Sequence, residues 1–360
     1  MAAVPARTRG HCLRAIPELG TTPTDLFDYR LPPEAIAQQP LADRSSSRML
    51  VLGADGDLAD DLVRGLPAQL RPGDCVVLND TRVRAARLRG RADGRAAEIL
   101  LVSELSPGRH LALVRPARRL QPGAMVTGPG WRAQMTAAWS AHPGGRVVLV
   151  EAEPGIDLNA VGELPLPPYI REPLADPERY QTVYSAGPPL SAAAPTAGLH
   201  LTHALLAELS RCGVGICSVR LEVGLATFSP IREASIEAHQ MHRERFRIGP
   251  EAASQITRTR ARGGRVVAVG TTVVRCLESC PDGRGGVLAQ AGETELYLRP
   301  GSSFQVVDGL LTNFHQPRSS LLVLVSAFFG GPRVRAAYAH ALAQSYRFLS
   351  FGDCMFGWAA

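Results

Sequence analysis

Four short segments of the sequence hold side chains whose types and spacing can do chemistry. In His239-Gln240-Met241-His242-Arg243-Glu244, two imidazoles and a carboxylate lie close together. Their i, i+3, i+5 spacing does not keep them on one helix face, and it differs from the His-Glu-x-x-His pattern of zinc peptidases. The segment therefore reads as a loop presenting His239, His242 and Glu244 for proton transfer or for hydrogen bonds to a nucleobase, with no metal. A satisfied structural histidine is the plain alternative. In Pro195-Thr196-Ala197-Gly198-Leu199-His200-Leu201-Thr202, small residues, a histidine and hydroxyls precede a helix. Backbone N–H groups and a helix N-terminus there can hold an anion; an ordinary turn capped by Thr202 reads equally well. In Ala268-Val269-Gly270-Thr271-Thr272-Val273-Val274-Arg275, a strand ends in glycine and two threonines open a helix, a place where α/β proteins bind carboxylates. The alternative is that Thr271 merely caps the first turn and that Arg275 pairs with Glu278 on one helix face. In Thr312-Asn313-Phe314-His315, a polar side chain followed by an aromatic can hold a base by hydrogen bonding and stacking.

These segments need a frame. Residues 203–211 read as a helix stopped at Gly213, followed by a strand at 214–223. Residues 265–269 read as a strand feeding a helix at 272–279, and 320–329 and 334–344 as two further helices. That alternation predicts a mixed α/β layer structure. Upstream, Pro33 sits at the start of a short helix at 33–38, and 47–52 forms a hairpin with the residues from 58 onward about a turn at 54–57. Between 71 and 164 the texture changes. Short β-like runs at 75–78, 97–102, 110–114 and 146–150 alternate with Gly and Pro turns, and helical periodicity is missing, as in a small all-β barrel. The expected organisation is a flexible N-terminal extension (1–24), an α/β catalytic domain with a mixed sheet and helices packed on it (25–70 and 165–360), and an inserted β-barrel domain (71–164).

Bulk composition removes several classes. The longest apolar run, 321–329, is half of the ~18 residues a membrane span needs, and reads as a buried helix. Arg7, Arg9 and Arg14 are followed by no apolar core, so the N-terminus does not read as a secretory signal. Seven scattered cysteines, an odd number, fit reduced thiols in a cytoplasmic protein. All 39 basic residues are arginine, which excludes a lysine Schiff base and a P-loop lysine. There is no Gly-x-Gly-x-x-Gly after a strand and no Gly-x-Ser-x-Gly elbow. A net charge of +6 suits a polyanionic partner, though many soluble enzymes share it. Arg82, Arg84, Arg87, Arg89, Arg91 and Arg95, then Arg115, Arg118 and Arg119, suggest phosphate contacts on the β domain, against the plain reading of a solvated surface.

Read in order, the segments carry a pattern. Phe27-Asp28-Tyr29-Arg30-Leu31-Pro32, Val77-Leu78-Asn79-Asp80-Thr81-Arg82-Val83, Leu166-Pro167-Pro168-Tyr169-Ile170 and Tyr180-Gln181-Thr182-Val183-Tyr184 join the four segments above, with Leu324-Val325-Ser326-Ala327-Phe328 and Tyr346-Arg347-Phe348. Over about residues 25–355 the chain resembles the S-adenosylmethionine:tRNA ribosyltransferase-isomerase (QueA) family. The resemblance implies an α/β domain with an inserted β-barrel. It also implies transfer and isomerisation of the ribosyl part of S-adenosylmethionine onto 7-aminomethyl-7-deazaguanine at the wobble position of tRNA, giving epoxyqueuosine-tRNA, adenine and methionine. S-adenosylmethionine is then a co-substrate and no prosthetic group is needed; the partner is the tRNA anticodon arm, the protein a cytoplasmic monomer. The sulfonium acidifies the 5′ carbon, adenine leaves preferably protonated, and the amine attacks neutral, so acid–base groups are required. His200, His239, His242, Glu244 and His315 are the candidates. Thr196, Gly198, Thr271, Thr272, Arg275 and Asn313 are candidates for binding S-adenosylmethionine, and Arg82, Arg84, Arg87 and Arg89 for binding tRNA.

The sequence also departs from the family pattern. Glu222 stands where the family has His, Ala226 where it has Gly, Leu201 where it has Phe, Gln316 where an apolar residue is usual, and Arg84-Ala85 where it has Ile-Pro. If the Glu222 segment lines the pocket, another reading follows, a diverged transferase using S-adenosylmethionine on a non-tRNA acceptor; a non-catalytic RNA-binding protein is a separate alternative, against which the retained His and Thr residues argue.

Overall fold

The computed structural model describes residues 21–53, 55–140, 144–224 and 230–360. A nine-stranded sheet runs in the order Gln290–Thr294, Glu244–Ile248, Gly215–Leu221, Cys75–Asn79, Val266–Val269, Gly309–Asn313, Cys354–Trp358, Arg48–Leu52 and Leu58–Leu62. The four strands from Gly215–Leu221 to Gly309–Asn313 are mutually parallel, with Val76 opposite both Ile216 and Val267. The outer pairs are antiparallel, except that Cys354–Trp358 lies parallel to Arg48–Leu52. The sheet is thus mixed, as the alternation of elements predicted.

Period-two alternation divides the sheet side chains between two cores. Val77, Ala268 and Leu310 point to one face, where they meet the helices Pro250–Ala261, Thr271–Glu278, Ser320–Phe329 and Gly331–Ala343. Val76, Val267 and Leu311 point to the other, against Leu205 and Leu209 of the helix His203–Arg211. That helix begins where its sequence says it should: the Thr202 side chain accepts from Leu205 N at 3.1 Å. Among the described residues no single helix is long and apolar enough to cross a membrane.

A second unit is a closed antiparallel barrel of six strands, in the order Gly145–Ala152, Arg109–Arg115, Arg95–Ser106, Arg87–Ala92, Met125–Gly128 and Trp131–Ala138. Alternate residues fill it, among them Leu88, Ile99, Val114, Val126, Met135 and Val148.

Three expectations change. The run at Cys75–Asn79, read as part of the barrel region, is a central strand of the large sheet. Its five residues are all buried, as in a parallel strand covered on both faces, and the one polar side chain, Asn79, donates to the Leu221 carbonyl at 3.0 Å. The helix expected at 33–38 shortens to a single 3-10 turn, Pro33–Ala35. Residues 1–20 of the expected flexible extension lie outside the described residues, but Thr22 N donates to Glu237 Oε2 (3.0 Å) and Thr24 N to the Ala234 carbonyl (2.9 Å), so its last residues are tied down.

Candidate active site

The parallel strands end on one cleft. Val223 and Gly224 follow Gly215–Leu221, Gly270 to Thr272 follow Val266–Val269, and Thr312, Asn313 and His315 close Gly309–Asn313. This is the carboxyl edge at which α/β sheets bind ligands. Three lobes share Leu321 on the opposite wall. Thr196 lies in two of them, so three of the four sequence segments meet in the first two lobes and the fourth closes the third.

The middle lobe is a helix N-terminus. Gly270, at φ 92°, turns the chain from strand into the helix Thr271–Glu278 and brings no capping side chain. The first N–H groups of a helix have no partner within it and carry the positive end of its dipole. Thr271 therefore does not cap this helix; the N–H groups of Val273 and Val274 are taken by the Gly270 carbonyl, and Thr271 and Thr272 line the lobe with Thr196. Thr272 is itself fixed, its Oγ1 accepting from Asn79 Nδ2 at 3.2 Å.

In the adjoining lobe, Asn313 is 2 % exposed and its amide is locked. Nδ2 donates to His200 Nε2 at 3.2 Å and to the Leu349 carbonyl at 3.0 Å, while Oδ1 has no partner among the described residues. Burial, reinforced by Arg347 and Arg44, lowers the His200 pKa to about 3, so the ring is neutral and its Nε2 accepts. His315 is likewise held at about 3 by burial; its Nε2 lies 2.8 Å from Thr312 Oγ1, and its backbone N–H donates to the Tyr338 hydroxyl at 2.8 Å. Phe314 does not offer a face to a base. Its ring is fully buried against Tyr338, Tyr346 and Phe348, with centroids 4.9–5.6 Å apart. Such pairs contribute about 0.5–1.5 kcal/mol each, and here they anchor the two polar residues that flank Phe314.

The third lobe is bounded by Gly224, His239, Met241, His242, Glu244 and Arg275. Glu244 opens the strand Glu244–Ile248 with its side chain inward, and forms a buried ion pair with Arg275. Glu244 Oε1 also accepts from Gly224 N at 2.9 Å, Arg275 Nε donates to the Leu296 carbonyl at 3.0 Å, and Arg275 Nη2 has no partner among the described residues. Arg275 does not pair with Glu278. That carboxylate instead accepts from the N–H groups of Gln305, Val306 and Val307 at 2.8–3.0 Å. His239 Nδ1 sits 3.3 Å from Glu233 Oε2, and His242 is exposed at the rim.

Other expected site residues stand outside the cleft. His200 lies behind Asn313 and lines a separate small cavity with Arg44 and Arg179. Gly198 packs on the Tyr184 hydroxyl, where an added Cβ would approach to 1.9 Å. Glu222 is half-buried beside Arg245 and Arg220, and its pKa is raised by burial, which outweighs those two charges. Its neighbours Val223 and Gly224 line the cleft and Glu222 does not. Leu201 is core, Gln316 reaches the cleft, and Ala226 lies outside the described residues. Sequence reasoning missed the walls: Tyr169, whose hydroxyl lies 2.7 Å from Ser350 Oγ, and Leu321 at the head of its helix. Only the order of the motifs pointed to Tyr169.

The comparisons with known proteins agree on one family. The family model described as "Queuosine biosynthesis protein" matches residues 24–356. Proteins named S-adenosylmethionine:tRNA ribosyltransferase-isomerase from Pelotomaculum thermopropionicum and Carboxydothermus hydrogenoformans are 48% and 47% identical to the chain, each match covering 91% of this chain and 98% of the relative. The crystal structure of an S-adenosylmethionine tRNA ribosyltransferase from Thermotoga maritima superposes with a TM-score of 0.53 at 34% identity, covering 92% of this chain and 99% of that one. With the family pattern spanning almost every described element and a cleft assembled from its motifs, this chain belongs to the queuosine biosynthesis protein family.

Proposed function

We propose that this protein is an S-adenosylmethionine:tRNA ribosyltransferase-isomerase. It moves the ribosyl part of S-adenosylmethionine onto the aminomethyl nitrogen of 7-aminomethyl-7-deazaguanine in the tRNA anticodon arm, releasing adenine and methionine and leaving epoxyqueuosine. The observation that carries this reading is the single cleft into which the four motif segments converge at the carboxyl edge of the parallel strands. We place the reaction in the cytoplasm and in a monomer, with the barrel as an inserted RNA-facing domain.

The cleft suggests a division of labour. The first-turn amides at Thr271 and Thr272 suit the methionine carboxylate. Asn313 Oδ1, aimed by neutral His200, suits an N–H or O–H donor on the nucleoside, and Thr196 lies between the two. At neutral pH burial keeps both His200 and His315 uncharged, with pKa values of about 3, so neither has an imidazolium proton to give and both are weak bases. Proton transfer therefore falls to the third lobe, where His242 stands exposed at the rim and His239 is held by Glu233. One of these imidazoles removes the proton next to the sulfonium, and adenine departs with a proton in return. The Arg275–Glu244 pair is charge-compensated and holds the lobe in shape. The side chain of Glu222, turned toward Arg220 and Arg245, supports the tRNA acceptor over a diverged one. The test is nucleoside mass analysis of tRNA after reaction: epoxyqueuosine in place of the aminomethyl base supports the reading, and an unchanged base with folded enzyme refutes it.

A further inference from the structure

The four arginines expected to hold tRNA are already engaged. Arg82 bonds Glu178 (2.5 Å) and Ser185 (3.1 Å), Arg84 reaches the Leu101 carbonyl (3.3 Å), Arg87 the Leu166 carbonyl (3.4 Å), and Arg89 pairs with Glu163 (2.8 Å). Arg87 and Arg89 stand at the end of the barrel where the chain enters and leaves, Arg87 bridging to Glu163. The other end of the barrel differs.

The strand Arg87–Ala92 runs along the barrel wall at ~3.3 Å per residue, which sets Arg91 about 13 Å from Arg87. There the strand register brings Arg91 opposite Ala96, and Arg95 opposite Ala92. Arg115 ends its strand opposite Glu98, and the loop that follows carries Arg118 and Arg119. Arg119 Nη2 touches the Ala96 carbonyl at 3.5 Å, which ties that loop to the hairpin tip. Arg91 Nη1 donates to the Gly94 carbonyl at 2.7 Å, but unlike Arg82, Arg87 and Arg89 none of these five arginines has an acidic partner within 4.0 Å among the described residues; the acids nearby are Asp93 at the tip and Glu98, which faces Arg87 at 3.8 Å. The loop is braced from within. Arg146, buried beneath it, donates to the carbonyls of Ala117 (2.8 Å), Leu120 (2.6 Å) and Gly145 (2.7 Å). An arginine spent on holding a loop that displays two more costs nothing in exposed charge, and it fixes the geometry in advance of binding.

We propose that this end of the barrel, formed by Arg91, Arg95, Arg115, Arg118 and Arg119, grips backbone phosphates of the tRNA body away from the modified base. The inference rests on the tRNA reading above. Guanidinium groups free of carboxylates and carried on a rigid β frame contact phosphate without reading sequence, and these stand at the end of the barrel opposite the Arg87–Glu163 bridge by which the chain enters and leaves.

The test compares two RNAs and two proteins. Wild type and the triple variant R95Q/R118Q/R119Q are titrated with full-length tRNA carrying the aminomethyl base and with the isolated anticodon stem-loop, at several salt concentrations. Full-length tRNA is expected to bind the variant at least tenfold more weakly, with the salt slope reduced by about 2, for two to three lost phosphate contacts. Stem-loop affinity and turnover are expected to be unchanged, which also shows the variant is folded. Equal full-length affinity and slope in both proteins would overturn the proposal, as would an equal loss for both RNAs. Failure of wild type to turn over either RNA would instead count against the reaction, and the affinity comparison would still decide the surface.

Discussion

Asn313 Nδ2 lies 3.2 Å from His200 Nε2, and this contact sets which way the amide faces the cleft. A neutral imidazole nitrogen accepts, so Nδ2 must point to it and Oδ1 is left as the acceptor with no partner among the described residues. Asn313→Asp keeps an acceptor but cannot donate to His200 or to the Leu349 carbonyl. It is expected to weaken S-adenosylmethionine binding by about tenfold or more, in line with about 1–3 kcal/mol for a disrupted buried hydrogen bond. Calorimetric titration of both proteins measures this directly, and equal affinities would remove Asn313 from the site.

The same burial predicts a pH dependence of stability. His200 and His315 titrate near 3 in the folded protein against an ordinary 6.5. Below 6.5 the unfolded chain takes up protons that the folded chain refuses. Their contribution is therefore fully present above pH 6.5 and is lost progressively as pH falls toward 3. Unfolding midpoints should drop between pH 7 and pH 5, before most carboxylates titrate, and the drop should shrink in H200Q/H315Q. An unchanged drop in the double variant would mean these rings are not the cause.

Arg275 and Glu244 form a buried ion pair, and removing one member strands the other. Glu244→Leu or Arg275→Leu alone is expected to cost about 3–5 kcal/mol in denaturant unfolding, with the double variant recovering much of the loss. Additive losses would show that the pair is not coupled.

The helix amide at Thr271 can be removed without disturbing the helix, because proline is tolerated in the first turn. Thr271→Pro should raise KM for S-adenosylmethionine about tenfold while leaving the melting temperature near wild type. An unaltered KM would place the carboxylate elsewhere.

His242→Ala separates chemistry from binding. A general acid or base contributes about 10²–10⁴-fold, so kcat should fall by that order with little change in affinity. Full retention of kcat would leave His239 as the remaining imidazole.

How far the sequence could be read depended on whether a signal was local. The helix at His203–Arg211 was legible to the residue, because Thr202 and Gly213 mark its ends within one turn. The hydroxyls at Thr271 and Thr272 were legible as a helix start for the same reason. Residues 75–78 were misassigned because an apolar four-residue run has no feature that names its partners; only the fold sets it between Gly215–Leu221 and Val266–Val269. The partner of Arg275 was missed because Glu244 is 31 residues away, while Glu278 is one helical turn away and looked sufficient. His200 and His315 read as acid–base candidates because composition does not report burial. The arginines at 82–89 read as free for phosphate because their partners, Glu178 and Glu163, lie 96 and 74 residues downstream.

The central claim is the reaction itself, and one assay meets it directly. Purified protein is incubated with S-adenosylmethionine and tRNA bearing 7-aminomethyl-7-deazaguanine, and free adenine and methionine are quantified by chromatography. Equal amounts of both products, appearing only when the modified tRNA is present, are the predicted result. Folded protein that releases neither, or that releases them equally without the tRNA, would contradict it.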